Sequence, residues 1–125
     1  MGAYVYPRIE NTEADWVHQM SGKALSRAIG RLSKLVKKQG FKDLMDYYVE
    51  GQEELDAEGI ERKAEVKWFN PIEGLALIEA MMRAFEEHRD EFERQDHLAE
   101  DLKAFRSILE RASSEGLRWN LGMAS

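Results

Sequence analysis

The chain opens on an alternation. Ala3, Val5, Pro7 and Ile9 fall on one side of an extended backbone, and Tyr4, Tyr6 and Arg8 fall on the other. Period two with β-branched and aromatic side chains predicts a strand. Pro7 cannot donate to a ladder, so the strand is expected at a sheet edge or to end early. Residues 10 to 20 read as a connection. From Ser21 the period changes to that of a helix, with Leu25, Ala28, Ile29, Leu32, Leu35 and Val36 recurring on one side and Gly40 as its stop. The Ser21 hydroxyl is the expected N-cap.

Phe41, Leu44, Met45, Tyr47, Tyr48 and Val49 fit a short helix or a short strand equally well. Residues 50 to 65 are polar and acidic, carry Gly51 and Gly59, and read as a loop with at most a helical turn. The sharpest local signal is Asn70-Pro71-Ile72-Glu73. It combines an N-cap residue, a proline at the first helical position and a carboxylate near the positive end of the helix dipole. The helix it opens is expected to bury Leu75, Ile78, Met82 and Phe85, flanked by Leu77 and Met81, and to reach about His88. Another helix is predicted from about Asp96, with Leu98, Leu102, Phe105, Ile108, Leu109 and Ala112 inward and Gly116 closing it. Alternation returns at the end. Leu117, Trp119, Leu121 and Met123 oppose Arg118, Asn120 and Gly122, which predicts a closing strand. The expected fold is α+β, a small sheet including the N- and C-terminal strands packed against about three helices, in one compact domain spanning 1–125.

Composition narrows the chemistry. With 125 residues, 43% of them hydrophobic and 34% charged, the chain has material for a core and a well-charged surface. It has no cysteine, which removes disulfides, thiolate metal sites and cysteine nucleophiles together. No basic patch followed by an apolar run marks the N-terminus as a signal peptide. Gly2 fails the myristoylation pattern because Tyr6 stands where Ser or Thr is wanted. No stretch approaches eighteen apolar residues, so no membrane segment is expected. A cytoplasmic protein follows as the expectation.

Charge changes the picture most. Between Trp16 and Lys42 lie seven basic residues and no acidic one, whereas Asp43 to Asp101 holds nineteen acidic and six basic. On a helical wheel Lys23, Arg27, Arg31, Lys34 and Lys38 form one stripe opposite the Leu25/Ile29/Leu32/Val36 face. Like charges at i, i+4 repel, so something anionic is expected opposite them. That could be the acidic part of the same chain, a second copy, another protein or an external polyanion. Nucleic acid is disfavoured, because the net charge is −6 and no aromatic interleaves the stripe to stack on bases.

No catalytic constellation stands out along the chain. Ser21-Gly22-Lys23 lacks the earlier glycine and the following Ser or Thr of a phosphate loop. His18, His88 and His97 are preceded three residues earlier by Asp15, Phe85 and Arg94, which is no carboxylate-bridged metal pattern. No metal and no cofactor are expected. No serine sits in a nucleophile motif, so catalytic residues stay unknown. Tyr47, Tyr48 and Trp68 are candidate interaction aromatics, although Trp68 and Phe69 also suit a role stapling the capped helix to the core. The expected function is a non-enzymatic protein-interaction module, in its concrete form a small acidic inhibitor contacting a basic partner through residues 50 to 65 and the helix ends near 86 to 101. The competing expectations are a small enzyme with a site scattered around Trp68, Tyr47 and His18, and a nucleic-acid binder using the basic helix 23–38.

Overall fold

The computed structural model describes residues 3–12, 14–49 and 66–124. Its elements are β1 (Tyr4–Ile9), α1 (Lys23–Lys37), α2 (Pro71–Glu87), α3 (Gln95–Ser114) and β2 (Trp119–Ala124), with short 3-10 turns at Asp15–His18, Leu44–Tyr47 and Arg89–Glu91. This is the expected small α+β arrangement. The loop expected at 50 to 65 lies outside the described residues.

β1 and β2 pair antiparallel, from Tyr4 opposite Ala124 to Ile9 opposite Trp119. The alternation seen in the sequence sends Val5, Pro7 and Ile9 into the core, and Tyr4, Tyr6 and Arg8 lie on the other face. The Val5 N–H donates to Gly22 O at 3.3 Å, away from β2. Residues two apart share that direction, so Pro7 occupies a position whose missing N–H costs no ladder bond. On its far edge β2 meets two single bridges, Tyr48 to Leu121 and Phe69 to Trp119. Covered on both edges, β2 buries Trp119, Asn120, Leu121 and Gly122 in succession. Asn120 therefore lies fully buried on the face that alternation makes polar, with its Nδ2 donating to Lys67 O at 3.1 Å.

The three helices cover the Trp119/Leu121 side of the ribbon and enclose one hydrophobic cluster. Trp119 stands at its centre, stacked on Tyr47 at 4.9 Å and edge-on to Phe105 at 5.7 Å, and its Nε1 donates to Asn70 O. Asn70 also caps α2 as its sequence predicts, its Oδ1 accepting from Ile72 N–H at 2.9 Å. α1 and α3 bury the stripes expected of them, and Gly40 and Gly116 close them in the left-handed conformation. In both cases the next residue, Phe41 or Leu117, donates back to the helix five residues earlier.

Three expectations are corrected. Ser21 does not cap α1. The N-cap is Gly22, and the first turn is capped from another helix by Asp101, which accepts from Gly22 N–H at 3.1 Å and Leu25 N–H at 3.0 Å. A buried carboxylate receiving two amides outcompetes a solvent-facing hydroxyl. The inward face of α2 is rotated toward Leu77 and Met81, which are fully buried, while Leu75 and Met82 are only partly covered. Because α2 packs against both α1 and α3, its buried arc extends beyond a single stripe. Residues 41–49 form neither a regular helix nor a strand. Asp43 caps a 3-10 turn at Leu44–Tyr47, and the chain then leaves along the edge of β2.

Candidate functional site

α1 presents its cations as the wheel predicts. Lys23, Arg27, Arg31, Lys34 and Lys38 are all exposed, and at 100° per residue they occupy a sector of about 80°. The margins of this sector are tied down. On one side Arg31 pairs with Glu91, and on the other Lys37 pairs with Asp43 at 3.4 Å. Between those margins Lys23, Arg27, Lys34 and Lys38 make no ion pair with any described residue. The described residues therefore neutralise the edges of the stripe and leave its middle unpaired.

Beside the stripe stands the connection from α2 to α3. Seven acidic residues lie between Glu86 and Glu100, against Arg89 and Arg94. The turn is firmly anchored. Phe92 is buried and meets Phe85 edge-on at 5.6 Å, with the Arg89 guanidinium over the Phe85 ring at 4.9 Å. Arg89 also reaches Glu86 at 2.9 Å and Gln95 at 3.1 Å. Glu91 binds both Arg31 and His88, and these two hold its carboxyl below the usual carboxylate range. What remains is a row of exposed carboxylates, Glu87, Asp90, Glu93 and Glu100, without a cation partner among the described residues. A groove of about 280 Å³ marks the seam, with Arg27 and Arg31 on one wall, Glu91 and Glu93 on the other, and Ala28 and Phe92 between.

The candidate aromatics separate. Tyr47 is a core residue, 3% exposed, wedged between Phe69 and Trp119. Burial and then the Glu73 carboxylate push its hydroxyl well above the ordinary tyrosine range. Tyr48 is half-buried at its bridge to Leu121. Phe69 packs against the core and performs the stapling expected of the pair, whereas Trp68 stays partly exposed. Trp68 and His18 do share a cavity of about 150 Å³, with Tyr6 and Arg8. Among the described residues, neither Tyr47 nor any carboxylate lines it, and His18 makes no hydrogen bond. No described residue orients His18 as a base. Among the described residues no group of three potential metal ligands gathers, and His88 is occupied by Glu91.

The sequence did not indicate Arg8, Asn120 or Asp101 as important. Arg8 Nη2 donates to Val49 O at 2.5 Å, and Asn120 holds Lys67, so side chains on the outer sheet face fix the chain on either side of residues 50 to 65. No local pattern marks such long-range donors. No helix among the described residues is long and apolar enough to cross a membrane. Comparison with family models, with curated proteins and with solved structures finds no match for this chain.

Proposed function

We propose that this protein is a non-catalytic docking module that binds a basic protein, in the manner of a small acidic inhibitor, through the carboxylates of the α2–α3 connection. The observation that carries this reading is the set Glu87, Asp90 and Glu93, exposed and unpaired among the described residues on and beside a turn anchored by Phe92 and Arg89, with Glu100 exposed in the second turn of α3. Like charges held together in a fixed turn repel one another, and a cationic partner relieves that repulsion. Because the turn is already ordered, little conformational entropy is lost on binding. Electrostatic complementarity of this sort raises association rates and selects partners by sign. The acidic residues 50 to 65, expected to share the contact, lie outside the described residues.

The enzyme alternative has less support, because among the described residues neither Tyr47 nor a carboxylate lines the cleft holding His18 and Trp68. The test is affinity capture from the protein's own cells at low salt, run in parallel with wild type and the Glu87→Lys/Asp90→Lys/Glu93→Lys variant. A basic protein held by wild type, released at 0.5 M salt and absent from the variant supports the assignment. Equal retention by both proteins overturns it, as does nucleic acid held through Arg27 and Arg31.

A further inference from the structure

The basic stripe of α1 and the acidic α2–α3 connection are neighbours on one surface, and their boundary is marked by the Arg31–Glu91 pair. On the basic side Lys23, Arg27, Lys34 and Lys38 are exposed and unpaired among the described residues; on the acidic side Glu87, Asp90, Glu93 and Glu100 are in the same condition. Two adjacent patches of opposite sign form a self-complementary surface. Rotation by 180° about an axis through their boundary lays each patch of one copy on the opposite patch of the other, which is the condition for a closed two-fold interface.

From this juxtaposition we infer that the seam between α1 and the α2–α3 connection is the interface of a two-fold homodimer, with the α1 stripe of each copy seated on the acidic turn of the other. The groove at the seam, with Ala24, Ala28 and Phe92 between its charged walls, gives the axis an apolar floor. Arg94 is the cation that breaks the acidic face; Arg89 is already engaged by Glu86 and Asp96. The net charge of −6 opposes association at long range. At about 0.1 M salt the Debye length is about 10 Å, which screens that repulsion more than it weakens direct pairs at contact. The dimer and the proposed docking of a basic protein compete for the same carboxylates, but the dimer requires no partner and is tested on the purified chain alone.

The test is a charge swap followed by analytical ultracentrifugation at 0.1 M and 0.5 M salt. One variant carries Arg27→Glu and Lys34→Glu, and the other carries Glu87→Lys and Glu93→Lys. All four positions are exposed, and circular dichroism confirms folding. Should the first variant misfold, Lys23→Glu with Lys38→Glu probes the same stripe. The expected result is a wild-type dimer at 0.1 M salt whose dissociation constant rises at least tenfold at 0.5 M, two variants that are each monomeric, and a heterodimer when they are mixed. A wild type that is monomeric at millimolar concentration overturns the inference. A dimer that survives either reversal, or variants that do not associate on mixing, do so as well.

Discussion

Asp101 and Gly22 together decide how α1 begins. They lie 79 residues apart, yet the carboxylate of one receives the amide of the other and that of Leu25. Replacing Asp101 with Ala leaves two buried amides unsatisfied and is expected to cost about 3 kcal/mol, while Asn, which keeps one acceptor oxygen, costs about half of that. Urea denaturation of the two variants measures the difference, and equal losses would mean that the second oxygen contributes nothing. Gly22 is constrained separately. Its φ is +77°, and a Cβ there would stand 1.9 Å from Val5 O. Gly22→Ala must therefore push α1 away from β1 and is expected to remove cooperative unfolding, which a thermal melt followed by circular dichroism reports. Sequence alone offers Ser21 as the cap because local rules count only neighbouring side chains. The actual cap comes from a helix that reaches this point only after folding.

At the scale of elements, the regular pieces were legible wherever one face alone decides burial. The period-two ends gave β1 and β2, and the helical stripes of α1 and α3 follow their buried faces, with Ile29 only partly covered and Ala24, Ser33 and Asp101 buried in addition. α2 departs from its predicted stripe because helices contact it from two sides. Residues 41–49 resisted assignment because their backbone is fixed by tertiary contacts. Asp43 caps the 3-10 turn, accepts from the Ser33 hydroxyl at 3.0 Å and pairs with Lys37 of α1. Burial raises the Asp43 carboxyl, but the bonds from Met45 N–H, Ser33 and Lys37 outweigh it and hold the group below the usual carboxylate range. A carboxyl lowered on folding adds stability that is fully present above its unfolded value, about 3.9, and is lost as pH falls through the folded one. The stability gap between wild type and Asp43→Asn is therefore expected to be open at pH 7 and to close as pH drops below about 4. Chemical denaturation at pH 7 and pH 3 measures both gaps, and a gap that is the same at the two pH values would show that the charge of Asp43 is not the cause.

For the whole molecule, the segregation of charge is legible in the sequence alone, since seven cations and no acid lie between Trp16 and Asp43, and nineteen acids lie from Asp43 to Asp101. Which charges meet is not legible there. Arg31 and Glu91 are 60 residues apart, and only the packing of α1 against the other helices brings them together. The aromatic candidates illustrate the same limit, because Tyr47 and Trp68 have similar sequence surroundings and the structure buries the first while leaving the second at a cleft. What folding adds is the pairing at the margins and, among the described residues, the absence of pairing at the centres, and those centres are the basis for proposing a docking role. The measurement that bears most directly on that role is the affinity for the captured partner as a function of salt. Between 0.1 M and 0.5 M the Debye length falls from about 10 Å to about 4 Å. Binding carried by Glu87, Asp90 and Glu93 should weaken at least tenfold over that range, and the slope should flatten when these three are reversed to Lys. Tight binding that is unchanged at 0.5 M salt would contradict it.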